Sequence, residues 1–397
     1  MSDTIVIVGA SASGVSAARE IRKNNQDINI KLFSEEKYLP YYRPYLTEYI
    51  SNKEITKKSN FFLNPESWYS ENRIEFFSGI SVTEIMLDKK KVKCSDGSEH
   101  EFSRLILSNG SRCFIPSPEA MLKNNVFVIK TISDAEKVFA CAEKSKSTAV
   151  IGGGPLGLEA VDSLLKRNIS VTVIERASRI LPRMLDAEGS EKYDSIIKAH
   201  GVNLIYNASV DAITGSESAT GVRLSDGKII NADMIIYSAG VIPDIKLASS
   251  CGIKTGKGII VDEKMQTSAK DIYACGDSSE FNGRLNAFWM RAVRQGKTAG
   301  ANASGVDDIF TEEDSPALLN SFGTSVFSYG FIGDETSGIK FSDYKVFDED
   351  KKIYKKIFFI DNRLAGAFII GDAKLTGKIM QAVKGKTDYN EAVKIII

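Results

Sequence analysis

Thr148-Ala-Val-Ile151, Gly152-Gly-Gly-Pro-Leu-Gly157 and Leu158-Glu-Ala-Val-Asp-Ser-Leu-Leu165 follow one another without a break. The first piece is a short apolar run suited to a buried parallel strand, the second a glycine turn, the third a helix. Ile169-Ser-Val-Thr-Val-Ile174 reads as the next strand and ends in Glu175, 18 residues after Gly157. Strand, G-x-G-x-x-G turn, helix, strand and acid is the context a dinucleotide fingerprint requires. Gly152 permits the tight turn, Gly154 lets the backbone approach a pyrophosphate, and Gly157 lets the helix pack on the strand. The helix N-terminus offers free N–H groups to the phosphates. A carboxylate at Glu175 suits a ribose 2′-hydroxyl and repels a 2′-phosphate, which predicts NADH over NADPH; Arg176, directly after it, softens that preference. The plain alternative is a βαβ unit that binds nothing.

A weaker copy of the pattern opens the chain. Ile5-Val-Ile-Val8 reads as a strand, Gly9-Ala-Ser-Ala-Ser-Gly14 as the turn and Val15-Ser-Ala-Ala-Arg-Glu-Ile21 as the helix. Ser11 replaces the middle glycine and brings a Cβ toward the phosphates. A second strand, Ile28 to Phe33, leads to Glu35, 21 residues past Gly14, where a carboxylate can bind ribose hydroxyls. Two fingerprints in one chain imply two nucleotides, and a protein that holds two usually passes a hydride between a resident flavin and a diffusing nicotinamide.

The rest of the composition narrows the class. The 397 residues carry 51 basic and 51 acidic side chains and are 43% apolar, as in an ordinary folded protein. The zero balance argues against a partner that is nucleic acid or an anionic membrane. Five cysteines, at 94, 113, 141, 251 and 275, include no C-x-x-C pair, and only His100 and His200 are histidines. A zinc or iron–sulfur site is therefore not expected. No apolar run reaches the ~18 residues of a membrane span, and the N-terminus has no signal-peptide pattern, so a cytoplasmic protein with reduced thiols is expected.

These motifs resemble those of the FAD/NAD-dependent pyridine nucleotide-disulfide oxidoreductases of the glutathione-reductase type, over essentially the whole chain. Leu105-Ile-Leu-Ser-Asn-Gly-Ser111 is similar to the family's strand-plus-ATG segment, with Ser108 and Gly110 in it. Met234 to Pro243, with Gly240, is similar to the strand that closes the NAD domain. Thr267-Ser-Ala-Lys-Asp-Ile-Tyr-Ala-Cys-Gly-Asp277 is similar to the second FAD motif, where the aspartate, here Asp277, binds the ribityl chain. Arg291-Ala-Val-Arg-Gln-Gly296 is similar to the helix start that faces the flavin pyrimidine edge. Lys37-Tyr-Leu-Pro-Tyr-Tyr-Arg-Pro-Tyr-Leu-Thr-Glu48 is very similar to a segment of clostridial NADH:rubredoxin oxidoreductases and of the FAD portion of NADH-dependent nitrite reductases. There Arg43-Pro44 lies against the FAD. The resemblance implies FAD contacts from Gly9, Ser11, Ser13, Gly14, Glu35, Arg43, Pro44, Val82, Ser108, Gly110, Gly276, Asp277, Val293 and Gln295. It implies NAD(H) contacts from Gly152, Gly154, Gly157, Glu175, Arg176 and Gly240.

The same resemblance sets the subclass. Relatives with thiol chemistry carry a cysteine soon after the first strands; this chain has none before Cys94. A flavin without a cysteine partner hands its electrons directly to an acceptor. The expected reaction is electron transfer from NADH through FAD to a small one-electron carrier such as rubredoxin. The alternatives are a peroxide-forming NADH oxidase, the flavin module of a nitrite reductase-type system, and a non-catalytic flavin-binding redox sensor. Glu159 is expected near the nicotinamide and the flavin. Glu48 stands where some ferredoxin reductases have a lysine, so two catalytic carboxylates repelling one another at one flavin edge are expected. Arg291, Arg294 and Lys297 are expected to form a basic collar that steers in an acidic rubredoxin. Cys275 is expected to be a packed residue.

The predicted fold class is α/β: two Rossmann-like domains with central parallel sheets and a smaller α+β domain. The FAD-binding domain spans 1–115 and 245–315, the NAD-binding domain 116–244 and an interface-like domain 316–397. Ser95-Asp-Gly97 and Ser225-Asp-Gly227 are expected hairpin turns, and residues 307–316 an acidic connection. Lys351 to Lys356 is expected to be a solvated strand or turn face, and the last helix to run from Leu375 to Val383. The resemblance leaves monomer and homodimer open.

Overall fold

β-Branched and aliphatic runs that bury both faces build two parallel sheets. The computed structural model describes residues 3–285, 287–333 and 338–397, so the N-terminal Met1 and Ser2 lie outside it. It divides into two compact units, one of residues 1–45, 54–113 and 241–313 and one of residues 46–53, 114–240 and 314–397.

In the first unit the strand Thr4–Val8 lies at the centre of a five-stranded parallel sheet, between Asn29–Ser34 and Arg104–Leu107, with Ile74–Ser78 and Ile272–Ala274 at the edges. Every residue of Thr4–Val8 is buried. Helix Ala12–Asn24 follows the strand, and helix Trp289–Ala303 packs along it. The contact is close because Gly296 and Gly300 face Ser13 and Ala17; a Cβ on either glycine would run into their carbonyl oxygens. Gly296 and Gly300 are four residues apart, so they share one helix face. Arg22, 4% exposed, ends this layer by donating to the carbonyls of Asn25, Gln26, Ile28, Asn72 and Arg73. Five backbone acceptors satisfy a guanidinium that burial alone would leave costly.

The second unit repeats the plan. Strand Ser147–Ile151 lies between Ser170–Ile174 and Met234–Tyr237, all parallel, with Asn203–Ile205 and Val126–Val128 outside them. Helix Pro155–Leu165 follows the central strand. Both predicted hairpins form, with Gly97 and Gly227 at φ of 86° and 87°. Residues 316–397 add an antiparallel sheet in the order Ala317–Ser321, Thr324–Gly330, Arg363–Gly371, Ile353–Ile360 and Ser342–Asp348. Mixed α/β architecture with two Rossmann-like parallel sheets and a smaller C-terminal α+β part agrees with the expected fold class.

Two expectations for the C-terminal part need correction. Lys356 is not on a solvated face: it is 8% exposed, with its Nζ 2.8 Å from Asp186, 3.3 Å from Glu188 and 3.6 Å from Asp343. The alternation of the strand turns it inward, where the carboxylates at the start of helix Ala187–Ala199 meet it. The chain also does not end its helical structure at Val383. Helix Thr376–Lys384 is followed by Tyr389–Ile396, capped by Asp388, which accepts from the Glu391 amide. Among the described residues no helix is long and apolar enough to cross a membrane.

Candidate functional site

The two glycine turns have the same internal geometry. The Gly9 N–H donates to Phe33 O and the Gly152 N–H to Ile174 O, each at 2.9 Å. Ser108 N–H donates to Val8 O and Ser238 N–H to Ile151 O, each at 2.8 Å. Gly9 and Gly152 have φ of 102° and 115°, a conformation that favours glycine, and both sit against the serine backbone. Gly14 and Gly157 lie over the carbonyls of Gly9 and Gly152, where a Cβ would collide. The helix that leaves each turn is thereby pressed onto its strand, with its first N–H groups free for an anion.

The middle positions differ from the outer ones. Gly154, the N-cap of its helix, has open space where a Cβ would stand. Ser11 holds the matching place in the first turn and is also an N-cap. Its Oγ accepts from Arg43 Nε at 3.0 Å. Arg43 in turn donates from Nη2 to Glu36 at 2.6 Å and from Nη1 to the Tyr41 hydroxyl, which itself donates to Glu36 at 2.6 Å. The serine that weakens the motif as a sequence thus anchors a guanidinium beside the first glycine turn. Pro44, next in the chain, is exposed.

Around this turn the first unit gathers most of the predicted residues. Asp277 accepts from Ser111 Oγ at 2.8 Å. Gln295, fully buried, accepts at Oε1 from the Gly276 amide and from Ser279 Oγ, while its Nε2 is buried without a hydrogen-bond partner. Asn109 donates to Asp244 O at 2.7 Å and leaves a buried Oδ1 without one. Gly110, beside it, is open at its Cβ position. Of the four buried side-chain polar atoms without a partner among the described residues of this unit, Gln295 Nε2 and Asn109 Oδ1 lie in the predicted FAD motifs, where a bound ligand would supply their partners; the other two, Asn64 Nδ2 and Tyr69 Oη, lie elsewhere in the sequence. Ser13 is 5% exposed and packs against Gly276 and Gly296, so it seats the motif. Val293 is half-buried two residues before Gln295, and Val82 half-buried at the start of a separate antiparallel sheet. Ser108 Oγ donates to the carbonyls of Val8 and Gly9. Cys275 is wholly buried, and burial pushes its thiol up to about 12, so it is a packing residue.

In the second unit Glu175 accepts from the Gly153 and Ala177 amides, both at 2.7 Å, and so holds the turn and the strand end together. Arg176 and Gly240 are exposed. The matching place in the first unit is Ser34, not Glu35: the strand runs one residue past Phe33, and Glu35 is exposed beyond it. Glu159 lies on helix Pro155–Leu165, and its Oε2 accepts from Thr47 Oγ1 at 3.0 Å. Thr47 and Glu48 lie on the short helix Leu46–Tyr49, which belongs to the second unit although first-unit residues flank it in the chain. Its neighbours are fixed there by Arg167, which donates to Ile50 O at 3.0 Å, and by the Tyr49–Phe139 ring contact. Burial pushes the Glu159 carboxyl up to about 7, the Thr47 hydrogen bond opposes this, and the charge of Asp162 adds to it. The expected carboxylate pair is corrected accordingly: the group bonded to Glu159 is Thr47, and the charge acting on it is Asp162, while Glu48 is half-buried next to Thr47. No local pattern in the sequence marks Thr47, since the two partners lie 112 residues apart.

The basic collar is corrected as well. Arg291 is 3% exposed and pairs with both oxygens of Glu312, at 2.9 Å each. Arg294 donates to Thr311 O and lies 3.4 Å from Glu313. The acidic connection folds back and neutralises both arginines; only Lys297 of the three is fully exposed.

The family described as pyridine nucleotide-disulphide oxidoreductase matches residues 3–296, and the one described as rubredoxin NAD+ reductase C-terminal domain matches residues 316–387. The assimilatory nitrate reductase electron transfer subunit of Bacillus subtilis (strain 168) is 30% identical over 99% of this chain, which spans only 51% of that protein. An NADH oxidase of Methanocaldococcus jannaschii is 31% identical over 94% of this chain and 89% of its own length. The crystal structure of NADH:rubredoxin oxidoreductase from Clostridium acetobutylicum superposes with a TM-score of 0.79 at 27% identity, covering 98% of this chain and 96% of that one. The residues of both glycine cradles, with the unsatisfied Gln295 Nε2 and Asn109 Oδ1, fit the FAD and NAD(H) that such proteins use.

Proposed function

Since the chain belongs to the pyridine nucleotide-disulphide oxidoreductase family, we propose that it passes electrons from NADH through FAD to a small one-electron carrier protein of the rubredoxin type. The observation that carries this reading is the pair of matching glycine cradles in one chain. The five cysteines are free thiols, and the chain has none before Cys94. FAD, when bound, accepts two electrons as a hydride and releases them singly, which joins a nicotinamide to a metalloprotein.

The residues divide between two tasks. In the FAD-binding domain, 1–115 and 245–315, Gly9 and Gly14 shape the phosphate cradle and Arg43 adds a positive charge to it. Asp277 meets the ribityl chain, Gly276 holds the turn before it, and Gln295 Nε2 and Asn109 Oδ1 offer the donor and acceptor that the protein leaves unused. Pro44, Val82, Ser108, Gly110 and Val293 line the same domain, and Glu35 stands exposed one residue past the place that matches Glu175. In the NAD-binding domain, 116–244, Gly152, Gly154 and Gly157 receive the pyrophosphate, Glu175 the ribose, and Gly240 and Arg176 lie at the rim. Glu159 stands beside the nicotinamide. Residues 316–397 form the third domain. The protein works in the cytoplasm as a monomer or homodimer, with neither nucleic acid nor membrane as partner.

Anaerobic stopped-flow absorbance at the flavin band tests the reading. Mixing with NADH and then with oxidised rubredoxin should bleach the flavin quickly and then reduce the rubredoxin. Bleaching that reverses only when air is admitted would replace it with the NADH oxidase reading. No bleaching would remove both. Cofactor choice gives a second test. Glu175→Ala should raise the ratio of NADPH to NADH in kcat/KM about tenfold, the effect of losing roughly 1.4 kcal/mol of repulsion against a 2′-phosphate. An unchanged ratio would deny Glu175 that role.

A further inference from the structure

Glu159 sits in the second turn of the helix that leaves the NAD glycine turn, half-buried and without a basic partner among the described residues. A carboxylate in such a place normally needs a cation. Here a hydroxyl takes that position: Thr47 Oγ1 donates to Glu159 Oε2 at 3.0 Å. Thr47 is itself 4% exposed, and the short helix that carries it packs on the Glu159 helix and on helix Ile132–Ala142. Arg167 donates to Ile50 O just after it. The hydroxyl is therefore held by its backbone at one place relative to Glu159.

We propose that Thr47 is the positioning residue of Glu159: its hydroxyl fixes the carboxyl group in place of a cation and sets the protonation state in which Glu159 meets the nicotinamide. The proposal rests on the second glycine turn being the NAD(H) cradle. Its chemistry follows from charge. An ionised Glu159 favours the cationic, oxidised nicotinamide, and a neutral one does not. The proton lost on ionisation goes to solvent. Removing the Thr47 donor takes a hydrogen bond from the ionised form and so makes the proton harder to lose.

Other groups among the described residues also face Glu159. On its own helix Asp162 disfavours ionisation and is tied to Lys166 at 2.7 Å and to the Phe322 amide. The helix of Thr47 brings Glu48 and Tyr49. The strands packed on the Glu159 helix, Ser147–Ile151, Ser170–Ile174 and Ala317–Ser321, bring no titratable side chain. Tyr193, whose hydroxyl bonds Ser321 Oγ at 2.7 Å, also senses its charge.

The test compares wild type with Thr47→Val, Thr47→Ser and Glu159→Gln. Infrared difference spectra follow the C=O stretch of a protonated carboxyl against pH, in protein without NADH. The wild-type band should fade as the pH rises through about 7 and be missing in Glu159→Gln. In Thr47→Val its midpoint should move up by about one pH unit, and Thr47→Ser should restore it. The pH profile of flavin bleaching by NADH should move with the band. A Thr47→Val midpoint equal to wild type, or a Thr47→Ser midpoint displaced as far as Thr47→Val, would overturn the proposal. If the band behaves as expected while NADH fails to bleach the wild-type flavin, the pairing stands and the cofactor reading falls.

Discussion

Gly154→Asp should bind FAD and melt like the wild type, yet lose NADH-driven flavin bleaching by a hundredfold or more, on the order of 3 kcal/mol. The expectation comes from setting two effects against each other. Gly154 is the N-cap of helix Pro155–Leu165, with φ −80° and ψ 177°, a conformation open to any residue. No described residue stands where its Cβ would go. Aspartate is among the best N-caps, so helix stability should hold or gain about 0.5–1 kcal/mol. The same carboxylate would face the pyrophosphate. One unit charge about 5 Å away at an effective dielectric of about 20 costs roughly 3 kcal/mol, and that outweighs the capping gain. Gly157→Asp is not an equivalent test, because its Cβ would strike the Gly152 carbonyl and disturb the fold itself. Stopped-flow bleaching and thermal melting, measured on one preparation, separate the outcomes. A Gly154→Asp protein that bleaches as fast as wild type would mean that no dinucleotide lies on this helix.

What could be read from the sequence is what depends on chain neighbours. Each glycine turn, its strand and its helix are contiguous, so Gly9–Gly14 and Gly152–Gly157 announced both parallel sheets. The two Ser-Asp-Gly hairpins were equally local. Most places where sequence and structure differ depend on what meets through the fold or on how long an intervening element runs. Counting from Gly14 points to Glu35, but the count spans a longer helix and turn than in the second unit, and hydrogen-bond register puts Ser34 in the place of Glu175. Arg291 and Arg294 look like free charges until the acidic connection, some twenty residues on, folds over them. Lys356 belongs to a visibly basic run, and only strand alternation and the distant Asp186 decide that it points inward. Thr47 meets Glu159 because Leu46–Lys53 leaves the unit of its chain neighbours, and no periodicity reports that. The helix Tyr389–Ile396 is the exception: Asp388 and Glu391 before an apolar run are a start signal that was open to reading.

Glu159→Gln should melt higher than wild type at pH 8 and nearly level with it at pH 4, without NADH in either case. Glu159 titrates near 7 in the folded protein and near the ordinary 4.5 when unfolded. Between those values the folded state holds a proton that the unfolded state has released. Stability from this group is therefore fully present below about 4.5 and is lost as the pH rises through about 7. A gap of that size corresponds to about 3 kcal/mol at full burial; solvent reaching a half-buried carboxyl lowers the expectation to roughly 2 kcal/mol. Glutamine cannot ionise and escapes this loss, and its amide oxygen can still accept from the Thr47 hydroxyl. For a unit of this size the gain corresponds to about 4–8 °C in melting temperature at pH 8. The sign distinguishes this site from a carboxylate held by a cation, where removing the charge would destabilise the fold most at high pH. A melting difference that does not change with pH would show that Glu159 is ionised throughout, and a wild type more stable than Glu159→Gln at pH 8 would reveal a cationic partner.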